Sequence, residues 1–202
     1  MSDRGFRMSI YLTGFVLGFV LMGFEMLSSR YLNPWFGSGI YTWAAIISVT
    51  LFALMVGYFL GGTLVDRNPT PSLLGVLVIA AAVAMAAIPG LKDPLIGTVI
   101  DAFGDGRAGV TIATVGLIFV PLVLIACFSP FAVRLLLAET AASGRQTGMV
   151  YGISTFGNIL GVWFTTFYLI PAIGSNAITL VFAVITALAG VFLIAIARRR
   201  RA

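Results

Sequence analysis

Six long stretches almost free of charged residues recur along this chain, and they constrain its fold more than any other feature. They run from Met8 to Ser28, Ile40 to Gly61, Leu73 to Pro89, Val110 to Leu137, Met149 to Ile170 and Ala177 to Ala197. A helix needs about 20 mostly apolar residues to cross the hydrocarbon core of a bilayer. The third stretch is short by that measure and the fourth long. Pro121 and Pro130 are expected to kink or end the fourth, because proline removes a backbone donor and crowds the preceding turn. The first stretch reads as a retained span rather than a cleaved leader: it is too long, contains Glu25 and has no small-residue cleavage site.

Composition agrees. Of 202 residues, 60% are hydrophobic and only 9% charged, against about 25% charged in soluble domains. The expected organisation is one all-α, polytopic transmembrane domain over residues 1–202, with short loops and no room for a separate soluble catalytic domain. The chain has no histidine, which removes the commonest metal ligand and the commonest general base near neutral pH. Neither a catalytic residue nor a metal site is expected. Cys127, the single cysteine, lies in the apolar run Val123-Leu-Ile-Ala-Cys-Phe128 and reads as a packing residue.

Orientation follows from Lys and Arg in the short loops. With the N-terminus inside, Arg4, Arg7, Arg67, Arg134, Arg145 and Arg198 to Arg201 fall on the cytoplasmic side, nine against three (Arg30, Lys92 and Arg107) outside. The net charge of +5 therefore reflects membrane orientation, not nucleic-acid binding. The basic tail reads as an anchor on anionic lipid headgroups, with partner docking as the other reading.

The longest connection, Leu91 to Ala108, is expected to hold a short helix lying in the outer interface over Pro94 to Phe103. Its Gly104-Asp-Gly-Arg-Ala-Gly109 matches G-x-G-x-x-G in form. The dinucleotide pattern requires a preceding strand and a βαβ unit, so this one reads as a flexible turn.

Glu25 is the most informative residue. A carboxylate inside a span is costly and faces a partner, a cavity or the bundle interior. It is read either as a site for a cationic group or a proton, or as a structural pair with Arg30 or with an amide or tyrosine on another helix. Positions five apart sit about 140° apart around a helix, so direct pairing with Arg30 in a straight helix is poor. Asn158, with Ser154 and Thr155, puts polar groups near mid-membrane in the fifth span.

Small residues recur at four-residue spacing: Gly14 and Gly18, Gly57 and Gly61, and the series Gly148, Gly152, Gly157, Gly161 along the fifth span. Such spacing lets helix backbones approach closely, within one bundle or across to a protein partner or second copy. After the second span, Gly61-Gly-Thr-Leu-Val-Asp-Arg-Asn-Pro69 forms a charged cytoplasmic turn. There Asp66 is expected to meet a helix N-terminus or to pair with Arg134 or Arg145, beside Arg67.

The loop Gly62-Thr-Leu-Val-Asp-Arg67 resembles the one joining the second and third helices of major-facilitator transporters, and six helices with that loop resemble half of such a transporter. A closer resemblance is to the membrane portion of bacterial fused spermidine-synthase-like proteins. It rests on Gly23-Phe-Glu-Met-Leu-Ser-Ser-Arg30, Phe36-Gly-Ser-Gly-Ile-Tyr41, the turn at Gly61 to Arg67, Ser129-Pro-Phe-Ala-Val-Arg134, the run Gly144 to Gly161 and Ile170-Pro-Ala-Ile-Gly-Ser175. The aminopropyltransferase-like domain of that family has no counterpart in this sequence. The resemblance thus implies a stand-alone membrane module of a bacterial inner membrane, and the charge asymmetry puts both termini in the cytoplasm.

Two functions compete, while a third, a membrane enzyme, is disfavoured by the lack of histidine and the few polar groups inside the spans. One is a non-enzymatic membrane subunit or scaffold that associates with a larger complex or a separate enzyme. The other is a small homodimeric transporter for a cationic or polyamine-like solute. Membrane lipids are expected partners and no cofactor is predicted. The scattered phenylalanines remain compatible with contact to a lipid, quinone or pigment.

Overall fold

The computed structural model describes residues 3–137 and 143–201, all of them helical apart from short turns. Its elements are α1 (Asp3–Phe36), α2 (Ile40–Arg67), α3 (Pro71–Phe103), α4 (Arg107–Thr114), α5 (Val120–Ala126), α6 (Phe128–Leu137), α7 (Ser143–Phe164), α8 (Ile170–Ala172) and α9 (Ser175–Arg201). Wide, π-type turns at Val115–Phe119 and Thr165–Leu169 join α4 to α5 and α7 to α8. No strand occurs among the described residues. Six helical rods are long and apolar enough to cross a membrane: α1, α2, α3, α4 through α6, α7 through α8, and α9. They are called spans 1 to 6. The chain is an all-α polytopic membrane protein. Ala202, which ends the basic tail, lies outside the described residues.

The contacts give the spans a consistent direction. Tyr11 meets Gln146, Gly14 meets Ser154 and Gly18 meets Asn158, so spans 1 and 5 run parallel. Gly57 meets Val123 and Gly61 meets Cys127, so spans 2 and 4 are parallel too. Gly75 against Gly190 and Met85 against Thr186 make spans 3 and 6 antiparallel. Span 1 also touches spans 2, 4 and 6. It carries much of the buried interior, including Phe6, Ile10, Val20, Phe24 and Leu27.

The third span departs from expectation. Residues 94–103 do not lie flat in the interface, because α3 continues unbroken through Pro89 and Pro94 to Phe103. Its 33 residues make a rod about 50 Å long, longer than the roughly 30 Å apolar core. The extra turns stand upright because they have a partner: Leu95 packs on Gly116 of span 4, and Ile96 is fully buried. Proline inside a spanning helix is tolerated where neighbouring groups re-satisfy the freed backbone.

Pro121 and Pro130 do interrupt span 4. Each lacks the N–H that would bond the carbonyl four residues earlier. For Pro121 that carbonyl belongs to Leu117, inside the wide turn; for Pro130 it belongs to Ala126, immediately before the break at Cys127. Span 5 repeats the first device. Pro171 orphans the carbonyl of Phe167, which again sits in a wide turn. The connection at Gly104 to Gly109 is a tight turn. Gly104 adopts φ +74°, and a Cβ on Gly109 would stand 1.9 Å from the Gly104 carbonyl oxygen.

Candidate functional site

Glu25 sits on the buried side of span 1, only 6% exposed. Arg30 is exposed toward the C-terminal end of the same helix, in a surface pocket with Tyr31, Lys92 and Asp93. No ion pair joins it to Glu25; the one salt bridge among the described residues is Lys92–Asp93, at 2.7 Å. The reason is geometric. The two side chains leave the helix on different sides, and the long arginine stem carries its charge toward water. The Thr50 hydroxyl on span 2 is close enough to interact with the carboxyl. It does not close a hydrogen bond of standard geometry, and Thr50 Oγ1 stays buried without a partner. A carboxyl and a hydroxyl facing each other in an apolar interior can hold a proton or a small cation between them.

Ser29 and Asn33 follow Glu25 along one face of α1, at one and two turns. They help line a pocket of about 230 Å³ with Arg30, Ser38, Trp43 and Thr166. Asn33 Oδ1 and Thr166 Oγ1 are both buried and unpartnered there. Glu25 thus lies one helical turn from a pocket at the end of the bundle where α1 finishes.

Asn158 belongs to a different place. With Ser154, Thr155 and Tyr151 of span 5 it lines a pocket of about 80 Å³, together with Gly14, Gly18, Tyr58 and Phe128. That volume admits several waters. Ser154 Oγ and Asn158 Oδ1 are buried there without protein partners. Gly18 is seven residues from Glu25, roughly 10 Å along the helix, so Glu25, Arg30 and Asn158 do not form one site.

The glycines divide into two groups. A Cβ on Gly14 would meet the Phe128 ring at 2.9 Å, and one on Gly18 the Ser154 carbonyl oxygen at 2.4 Å. On Gly57 it would meet Val123 O at 2.5 Å, and on Gly61 the Pro130 ring at 2.7 Å. On Gly157 and Gly161 it would stand 2.2 Å from Phe15 O and Phe19 O. These six pack the bundle against itself. Gly148 and Gly152 have nothing within 4 Å. The four glycines of span 5 are therefore not one packing line.

The charged turn does not form the expected pairs. Asp66, Arg67 and Arg134 are exposed, and no ion pair involves them among the described residues. The N-terminus of α3 is capped by Thr70, which accepts from the Leu73 amide at 3.4 Å, so Asp66 has no capping work. Exposed pairs of this kind contribute at most about 1 kcal/mol, too little to hold long side chains together.

Two clamps escape a reading by sequence. The Tyr31 hydroxyl pairs with Thr179 Oγ1 at 2.7 Å and donates to the Ser175 carbonyl at 3.0 Å, tying span 1 to span 6. The Arg107 guanidinium stacks over the Tyr41 ring, 4.4 Å from its centroid, and donates to its hydroxyl at 2.7 Å. Both join residues far apart in the chain, and no local pattern announces them. Among the described residues no group of three His, Cys, Asp or Glu is placed to hold a metal.

Comparison of the chain with family models, with curated proteins and with solved structures yielded no match.

Proposed function

We propose that this protein is a non-enzymatic integral membrane subunit that assembles with another membrane protein through the outward face of span 5 and the adjoining side of span 2. The observation that carries this reading is the state of span 5. Only 17% of its central window is buried, against 39–61% in the other five spans, and it is the least hydropathic of the six. Gly148, Gly152, Thr155, Ile159 and Trp163 lie exposed along it. Phe52, Met55 and Phe59 stand exposed on span 2. Helix association in lipid depends on close packing of small residues, since lipid and leucine are equally apolar. An open glycine pair on a weakly apolar span suits a partner helix better than acyl chains.

The expected kinship with the spermidine-synthase-like membrane module is kept as part of this proposal, as are the bacterial inner membrane and the cytoplasmic termini. The nine-to-three charge asymmetry supports that orientation, and a C-terminal reporter found outside the cytoplasm would refute it. Purification in mild detergent tests the assembly. A stoichiometric partner complex is expected, lost on Gly148→Leu/Gly152→Leu. If the chain isolates as a lone monomer, or if the double variant assembles normally, the reading fails.

One observation favours a second reading. The buried Glu25 carboxyl, without an ion pair and one turn from the pocket that Ser29, Asn33 and Thr166 help line, supports a homodimeric transporter of a cationic solute. Polyamine binding by a purified dimer, abolished by Glu25→Gln, would select that reading over the first.

A further inference from the structure

The opposite end of spans 1 and 5 carries a feature that neither reading uses. Because these spans are parallel, α1 and α7 begin side by side at the same face of the membrane. Arg4, Arg7, Met8 and Tyr11 of α1 and Arg145, Gln146 and Met149 of α7 line a pocket of about 390 Å³ between the two helix starts. Arg7 Nε is buried and has no hydrogen-bond partner among the described residues. None of the three arginines makes an ion pair among the described residues. Gln146 is committed to the Tyr11 hydroxyl, which holds the two helices together behind the pocket.

Electrostatics make this arrangement unfavourable when empty. A helix N-terminus carries about half a positive charge, and cations in the first turn are repelled by it. Here two such ends and three guanidiniums converge, and none of the described residues that line the pocket is a carboxylate. An anion with several oxygens satisfies all of these groups together, because guanidinium forks match phosphate geometry. Depth narrows the choice. The pocket sits where the apolar runs of spans 1 and 5 begin, at headgroup level, and Met8 and Met149, both exposed, flank the arginines with apolar surface.

We propose that this pocket is a phosphate-binding site for the headgroup of an anionic phospholipid, the guanidiniums holding the phosphate while Met8 and Met149 meet the upper acyl chains. The site is independent of the partner proposed for span 5.

The test uses the full chain purified in a neutral detergent. Its thermal unfolding is followed while phosphatidylglycerol, phosphatidylcholine or inorganic phosphate is added at constant ionic strength. Phosphatidylglycerol is expected to raise Tm in a saturable way and phosphatidylcholine to leave it unchanged. Each basic residue near an anionic surface is worth about a five-fold change in affinity. Arg145→Gln should therefore weaken the phosphatidylglycerol response about five-fold, and Arg4→Gln/Arg7→Gln/Arg145→Gln on the order of a hundredfold. Arg67→Gln, at the turn between α2 and α3 and outside the pocket, should leave it intact. An equal response to inorganic phosphate would support the phosphate site but move its source from lipid to solution. Equal responses to both lipids, no response to any addition, or an undiminished response in Arg145→Gln would overturn the proposal. The single exposed variant keeps the test decisive if the triple variant does not fold.

Discussion

Replacing glycine by alanine at four positions of span 5 separates the two roles that glycine plays there. Gly157 and Gly161 face span 1 so closely that a Cβ would stand 2.2 Å from the carbonyl oxygens of Phe15 and Phe19. Ordinary contact begins near 3.4 Å, so the helices must part by about 1.2 Å at each point. A backbone carbonyl cannot swing away as a side-chain tip does; the whole of α1 has to move. Overpacking of this kind costs about 1–3 kcal/mol, and the lost close approach also weakens Cα–H···O contacts along the seam. Gly148 and Gly152 have open space where the Cβ would go. Alanine there should change stability by no more than about 0.5 kcal/mol, or raise it slightly through helix propensity. Reversible unfolding in mixed micelles, titrated with a denaturing detergent, gives each difference. Gly157→Ala/Gly161→Ala should cost less than the sum of its parts, because the first Cβ already separates the helices. Equal effects at all four positions, or larger ones at 148 and 152, would refute the packing argument.

Glu25 and Arg30 should be energetically independent. A double-mutant cycle with Glu25→Gln and Arg30→Gln is expected to give a coupling below about 0.5 kcal/mol, and a larger value would mean that the two charges meet in the membrane. Tyr31→Phe should lower stability by about 1–2 kcal/mol, since it strands Thr179 Oγ1 inside the bundle. Thr179→Val should cost much less once Tyr31 is already Phe, and additive losses would show that the hydroxyls are not partners.

The number of spans could be read from the sequence because it depends on one quantity, the length of apolar runs, that lipid imposes directly. The third span could not be bounded in the same way. Pro89 and Pro94 are strong stop signals in water, yet α3 passes both, held upright by Leu95 and Ile96 against span 4. That contact joins distant parts of the chain and leaves no local trace. The polar residues show the same limit. That Glu25 would be buried followed from its surroundings in the sequence, whereas Thr50 as its neighbour and Arg30 as a surface charge depend on how spans 1 and 2 are rotated. The arginines of the basic pocket were counted for orientation as separate charges. Only the parallel pairing of spans 1 and 5 places Arg7 beside Arg145.

The division of the span 5 glycines, by contrast, was present in the sequence and required only the helical angle. Gly148 and Gly157 are nine residues apart, as are Gly152 and Gly161, and nine residues make about two and a half turns. Four-residue spacing within each pair hides a half-turn offset between the pairs. One helix therefore cannot use both pairs against the same neighbour while it stays regular, and α7 is regular from Ser143 to Phe164. Once Gly157 and Gly161 are committed to span 1, Gly148 and Gly152 must point out of the bundle. That geometric necessity, more than the count of glycines, is why the outward face of span 5 is the place to look for a second membrane protein.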